Sequence, residues 1–462
     1  MNKKIQFLLS AVLLASASVF AASTATAGQY NRTTMLFPNV NTAAESCFGR
    51  LKSAEKSDDA FGLCLGGVGY WHQIFPGANS GLELAKGFSP AGENNFSLST
   101  DHFLVNLATG AGVSNLTMNI DKVEHRRIGA VISACYALDN IYDGLYVGGN
   151  VGVLHERNSL SFTVSNGTGA AATHAADFVK FLKGEYTASQ VALSNLRMES
   201  GKAMSNTGVN NVDVYAGLKV VNTDNASVCL KLVATAPTGN KMENVNLFQP
   251  NAGVRNAKLG VGVAAMVKLI NDDSYALNFA GDLQWQYGIK RTDSYIPTHK
   301  AGFGHYKAFV KVGDTAATPL ANVLAGMKAD VESRNEINAL AKVSFEKGVV
   351  GVDLGYNMFF SQEKNLVLKD FPTTAWYGLT SAGSDALPTA YVAIPADILA
   401  LADLGTTFPK HLEHKAFVGV NALFSEWEFP MLVGATVSYS YSATPTVTPR
   451  YWGVSLRAGV SF

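Results

Sequence analysis

Long hydrophobic runs are missing from this 462-residue chain once its first 27 residues are passed. No stretch of ~18 apolar residues follows, so helical membrane spanning is excluded. Charge is scarce: Asp, Glu, Lys and Arg make up 16% of the chain, 36 basic against 36 acidic. That neutral balance excludes nucleic acid as a partner, because phosphate binding needs a basic surface. Catalytic signatures are missing too. There is no Gly-x-Ser-x-Gly elbow and no His-Glu-x-x-His. Gly260-x-Gly262-x-x-Ala265 matches the loose dinucleotide pattern, but it lies inside an alternating strand with a turn after it, where a helix is required. His305 and Asp282 are catalytic candidates by residue type alone, and no spacing joins nucleophile, base and orienting group. The expectation is a protein that is not an enzyme and has no cofactor.

What is present begins with export. Met1-Asn2-Lys3-Lys4 precedes an apolar run over 5–20, and Ala25-Thr26-Ala27 closes a small-residue stretch. Basic region, short apolar region and A-x-A site predict a signal peptide over 1–27, cleaved after Ala27. No cysteine stands directly after the site, which argues against a lipoprotein anchor. The four cysteines are Cys47, Cys64, Cys135 and Cys229. In an oxidising compartment Cys47 and Cys64 are candidates to staple the N-terminal segment; the alternative is small buried thiols. Residues 28–59 have no clean period and read as a periplasmic lead-in or lumen insert.

Hydrophobic residues reach 47% of the chain, yet they are dispersed at period two. Alternation over 126–138 turns at 139–144 into 145–153. Four further pairs follow: 212–220 with 228–234, 259–269 with 277–287, 337–345 with 350–360, and 416–424 with 429–441. Asn, Asp and Gly between alternating runs signal hairpins. The connections over 157–210, 237–256, 288–334 and 361–413 are long. Within them, 175–186 and 395–405 carry short helical signals. Adding weaker N-terminal candidates at 60–75, 80–88 and 94–108 predicts about 14 strands. Twelve follow if one of those three is real, and sixteen if 302–312 and a neighbour also span.

The chain ends Arg450-Tyr451-Trp452-Gly453-Val454-Ser455-Leu456-Arg457-Ala458-Gly459-Val460-Ser461-Phe462. Every second residue from Trp452 to Phe462 is apolar, the strand period with one wholly apolar face. This stretch resembles the closing strand of Gram-negative outer-membrane β-barrels, whose terminal Phe is read by the insertion machinery. The resemblance implies an all-β, antiparallel up-and-down barrel over 60–462 in the cell outer membrane. It makes lipid and the barrel-insertion machinery the partners, with Trp452 and Phe462 in the insertion signal. It also implies short turns at the periplasmic rim and long extracellular loops. A soluble sandwich would alternate as well, but its outer face would carry Lys and Glu. Here the face opposite the apolar one is Gly, Ser, Ala and Asn. Aromatics at strand ends (Tyr136, Trp285, Tyr287, Phe360, Tyr439, Tyr441) suit interfacial belts. The oligomeric state, trimer or monomer, stays open.

Parity places Arg127, Lys219, Lys231, Lys268, Lys342, Lys415 and Arg457 on the inner face, with Glu156, Asp213, Asp282, Glu346 and Asp353. Such charges set ion preference in a pore, or pair across the wall, or both. The slight basic excess leans toward anions. Asp314, Lys328, Asp330, Glu332 and Arg334 mark one candidate constriction loop, and 361–413 is the other. His411-Leu412-Glu413-His414 gathers metal-ligand types at a loop foot, where solvated side chains are the expectation, so no metal is assigned. The leading expectation is a porin-like channel for small hydrophilic solutes. The alternatives are a transporter of hydrophobic compounds, resembling the fatty-acid channels of outer membranes, and a structural or adhesive surface barrel.

Overall fold

The computed structural model describes residues 63–74, 95–98, 116–166, 172–186, 192–223, 225–240, 245–250, 256–272, 274–294, 309–312, 318–332, 334–369, 376–379, 391–393, 407–408, 410–442 and 450–462. Residues 1–27 and 28–59, and the helical candidate at 395–405, lie outside them. Twelve strands form a ring. They are β1 (Leu63–Ile74), β2 (Leu116–Ala137), β3 (Leu145–Asn166), β4 (Ala203–Thr223), β5 (Ala226–Ala236), β6 (Lys258–Asn271), β7 (Ala276–Gly288), β8 (Arg334–Lys347), β9 (Val350–Ser361), β10 (His411–Phe424), β11 (Met431–Ser442) and β12 (Tyr451–Ser461). Each pairs antiparallel with its sequence neighbours. β12 returns to β1, setting Cys64 opposite Ser461 and Ile74 opposite Tyr451. β1 in turn lies along β2, with Leu63 opposite Tyr136. The sheet thus closes without a free edge among these strands.

Closure occurs at twelve because β1 bridges β12 and β2 directly. The candidate at 60–75 supplies β1. The one at 94–108 contributes only Asn95–Leu98, which pairs with the far end of β2 outside the ring. The candidate at 80–88 lies outside the described residues. Phe309–Val312 joins a separate sheet with Thr318–Pro319 and Trp376–Leu379 and does not span. Short turns close the pairs β2–β3, β4–β5, β6–β7, β8–β9 and β10–β11, with Gly348 at φ +56° in the β8–β9 turn. The row Leu65, Ala134, Gly149, Val214, Ala234, Leu259, Tyr287 is in register across seven strands. It runs from the short-turn end of β2 to the long-loop end of β7, so the strands are tilted as closure demands.

The wall is apolar outside and largely polar inside, with small inner apolar clusters such as Val68, Val131 and Leu154. Ile132, Leu232, Leu354 and Leu456 are 63–68% exposed on the outer face, whereas Asp353, Glu156 and Ser440 are buried on the inner one. Along β2 and β3 this polarity inverts beyond the register pair Arg126–Arg157. Past it, Met118, Ile120, Val123, Leu160 and Phe162 point inward and are buried. Asp121, Lys122, Glu124, Arg157 and Thr163 point outward. Residues 157–166 and 203–210, expected as loop, are therefore strand that projects past the apolar band.

The inverted region supports a cap. Helix α1 (Ala172–Lys183) buries Phe178, Phe181 and Leu182. It stops at Gly184, φ +74°, whose amide donates to the Phe181 carbonyl at 2.9 Å. The following segment runs between α1 and β3: the Met198 amide donates to the Leu182 carbonyl at 2.8 Å, and that of Gly201 to the Leu160 carbonyl at 2.7 Å. Helix α2 (Leu320–Ala325), from the β7–β8 connection, docks through Asn322, whose side-chain oxygen accepts from the amides of Ser194 at 2.9 Å and Asn195 at 3.1 Å. A four-stranded rim sheet (Arg291–Ser294, Lys328–Val331, Lys364–Lys369, Thr407–Phe408) prolongs the wall of β7–β10.

Candidate functional site: the barrel interior

Strand alternation carries every second side chain of the ring inward, so the interior is assembled from all sides at once. Asp353 of β9 gathers four side chains around its carboxylate. Ser344 Oγ donates to Oδ1 at 2.6 Å and Asn421 Nδ2 to Oδ2 at 2.9 Å. Lys342 Nζ stands 3.7 Å away, and the Arg457 guanidinium donates to Oδ2. Arg457 reaches β9 from β12 by lying flat over β11 and β10. Glycines make that path: a Cβ on Gly434 would stand 2.9 Å from Arg457 Nε, and one on Gly419 3.5 Å from its terminal nitrogen.

Further pairs line the remaining wall. Lys231 Nζ donates to Asp282 at 2.7 Å, and Thr235 Oγ1 to Asp213 at 2.6 Å. Lys258 donates to Glu336, which also faces Arg334 Nε at 3.2 Å. Arg127 Nε donates to Glu156 at 2.9 Å. Glu413 accepts from Tyr451 Oη and Ser440 Oγ, each at 2.5 Å. Burying a charge is costly unless it is paired and hydrogen-bonded. Reciprocal pairing makes this interior close to neutral. Several buried inner-face atoms have no partner among the described residues, including Tyr70 Oη, His72 Nδ1, Ser133 Oγ, Asn150 Oδ1 and Ser361 Oγ. Groups of that kind are ordinarily met by water.

All ten wall candidates face inward. Arg127, Lys231, Asp282, Lys342, Asp353, Lys415 and Arg457 are buried; Lys219, Lys268 and Glu346 are half-buried. The constriction candidates scatter. Arg334 lies within β8 itself, Lys328 and Asp330 lie in the rim sheet, Glu332 follows them, and Asp314 is outside the described residues. Asp330 accepts from Thr292 Oγ1 at 2.6 Å and sits 3.1 Å from both Lys290 and Lys369. The Thr292 hydroxyl first, then those ammonium groups, hold its carboxyl at about 2. Among the described residues, the β5–β6 connection reaches inward, where the Phe248 carbonyl accepts from inward-facing Asn158 at 2.9 Å.

His411-Leu412-Glu413-His414 is the start of β10, not a loop, so consecutive side chains diverge. Glu413 points inward, while His414 points outward and meets the Tyr356 hydroxyl. His305 and Cys47 lie outside the described residues. Cys64 stands opposite Cys135 across β1–β2, with its Sγ 3.4 Å from Ser461 Oγ. At the ring's seam, Trp452 meets Trp71 edge-on at 4.5 Å on the outer face. The Phe462 amide donates to the Leu63 carbonyl at 2.8 Å, and its ring lies 5.2 Å from Phe429. Sequence reasoning missed Lys258, Glu336, His72 and His125, and weighed Glu413 only as a metal-ligand type at a loop foot. They sit at strand ends or in stretches without clean alternation; parity with Gly260, Asn338 and Lys415 was the signal available.

An apolar outer face around a buried polar interior is the arrangement of a barrel that spans a bilayer. No family model and no curated protein sequence matches the chain. Among solved structures it is similar to an outer membrane channel from Pseudomonas putida F1, at 12% identity and TM-score 0.40, covering 88% of this chain and 100% of that one. It is also similar to the translocator domain of the autotransporter NalP from Neisseria meningitidis, at 9% identity and TM-score 0.32, covering 92% and 96%. A FadL homologue from Pseudomonas aeruginosa aligns at 10% identity and TM-score 0.28, covering 96% and 98%. The solved structures that this chain is similar to are thus outer-membrane β-barrel proteins.

Proposed function

We propose that the chain is an outer-membrane channel through which small hydrophilic solutes diffuse passively. The observation that carries this reading is the interior: inward charges are paired along the wall, and buried hydroxyls and amides such as Tyr70 Oη and Asn150 Oδ1 are left for water. A carrier of hydrophobic compounds would need a continuous apolar lumen, whereas the inward apolar residues below Arg126 and Arg157 form small clusters, Val68, Tyr70, Val131 and Leu154 in one and Cys135, Tyr215 and Val233 in another, beside the paired charges. In this reading Phe462 and the short turns are periplasmic, and the cap is extracellular. The constriction in this reading is formed by the β5–β6 connection where Phe248 meets Asn158, and not by Asp330, which is committed to its rim lysines. Purified protein in a planar bilayer should give discrete ohmic conductance steps in KCl, and liposomes containing it should swell in small sugars. Sealed bilayers and liposomes, with folded protein inserted, would overturn the reading in favour of a plugged barrel.

A further inference from the structure

The lumen cations differ in how their charge is answered. Arg127, Lys231, Lys258, Arg334, Lys342 and Arg457 each stand within ion-pair distance of a carboxylate. Lys415 is buried to a similar degree, 8% exposed, yet among the described residues no carboxylate lies within that distance of its ammonium. Glu413, two positions along the same strand, is engaged by Tyr451 and Ser440.

One more buried group with unspent hydrogen-bonding capacity belongs to the same neighbourhood. His72 is 6% exposed, and its Nδ1 has no partner among the described residues. It lies within electrostatic reach of Lys415, Arg127 and His125. The Tyr70 hydroxyl, also buried, turns the other way, over Gly129 of β2. The topology explains the gathering. Lys415 is in register with Ser440 of β11, and Ser440 with Tyr451 of β12. The His72 ring then lies 5.1 Å from those of Tyr451 and Tyr70. Gly453 beneath the imidazole keeps β12 from lifting it off the wall.

One ammonium with no carboxylate at ion-pair distance among the described residues, beside an imidazole N–H, is the complement of a small oxyanion, which accepts from both. We propose that Lys415 and His72 form an anion-binding station in the lumen, selective for small carboxylates or phosphate-like oxyanions. Lys415 supplies the charge and His72 orients the ligand. The inference deepens the channel reading and rests on it only for transit, since binding can be measured on a closed barrel.

The test uses full-length protein folded in detergent, with folding of every variant checked by heat-modifiable gel mobility. Calorimetric titration with inorganic phosphate, and separately with acetate, measures binding; reversal potential in a KCl gradient measures selectivity. Lys415→Gln should weaken phosphate or acetate binding by about tenfold or more, the scale of a lost charge-assisted hydrogen bond. It should also lower the chloride-to-potassium permeability ratio. Lys415→Arg should retain both, His72→Phe should weaken binding with less effect on selectivity, and Tyr70→Phe should leave binding unchanged. Absence of binding of either anion to wild type, or equal binding by Lys415→Gln, overturns the station even if the barrel conducts. Lys415-dependent binding in a barrel that does not conduct keeps the station and overturns the channel.

Discussion

Leu456 tests the inside-out wall at a single position. It stands midway along β12, 65% exposed on the outer face, in register with Gly69 of β1 and Ala435 of β11. Neither neighbour has a side chain that could shelter or answer a charge. Leu456→Lys therefore sets an ammonium against hydrocarbon. A Lys at the bilayer midplane costs about 2–4 kcal/mol, falling to about 0–1 near the interfaces. β12 has 11 residues, close to the ~9–11 that a tilted strand needs to cross, so its centre lies near the midplane and the larger range applies. A loss of about 3 kcal/mol lowers the folded-to-unfolded ratio by about 150-fold. Ser455→Lys, one residue away and facing inward, should cost under about 1 kcal/mol and instead change conductance. Urea titration in lipid vesicles, read by heat-modifiable mobility and tryptophan fluorescence, measures both. Equal unfolding midpoints for the two variants would refute the assignment of faces.

Further expectations concern the interior, the seam and the rim. Asp353→Asn leaves Lys342 and Arg457 without their carboxylate and should cost about 3–5 kcal/mol, with part recovered in the double variant carrying Arg457→Gln; a double-mutant cycle in urea checks it. Gly434→Leu should dislodge Arg457 at a cost of about 1–3 kcal/mol, seen as lost stability with unchanged strand content by circular dichroism. Deleting Phe462 removes its amide bond to Leu63 and its contact with Phe429, and should slow appearance of the folded form in pulse-chase experiments. Asp330 titrates at about 2, below the ~3.9 of an unfolded chain, so its contribution is full above pH ~4 and is lost as pH falls through about 2. Amide-exchange protection in Lys328–Val331 should accordingly fall between pH 5 and pH 2.

Much of the ring was legible because period two survives in each spanning run. All five predicted hairpins form, and the first N-terminal candidate supplies the closing strand. Parity also told which charges face inward. It did not tell which of them meet, because partners are set by tilt and by what lies between strands. Arg457 and Asp353 are separated by 104 positions. They join only because Gly419 and Gly434 leave the intervening wall bare. The inner-face glycines, read as a sign that the face is not a soluble surface, turn out to be the floor on which long side chains lie.

The far ends of β2 and β3 were lost for a different reason. The sequence reading looked for apolar residues outside and polar ones inside, and it stopped at Arg126 and Arg157, where that rule fails. Alternation itself continues: Leu160 and Phe162 are interleaved with Ser159, Ser161 and Thr163, and a bulge between Ile120 and Lys122 resets the facing strand. What changes is the sign. Below Arg126 and Arg157 the outer face meets an apolar surrounding; beyond them it meets water, and the apolar residues turn inward to pack beneath α1. A strand that leaves the hydrocarbon is subject to the ordinary rule of burying apolar surface. The inversion of polarity within one continuous strand therefore locates the boundary of the apolar band, and it does so at the level where Asn158 and Phe248 meet above the polar lumen.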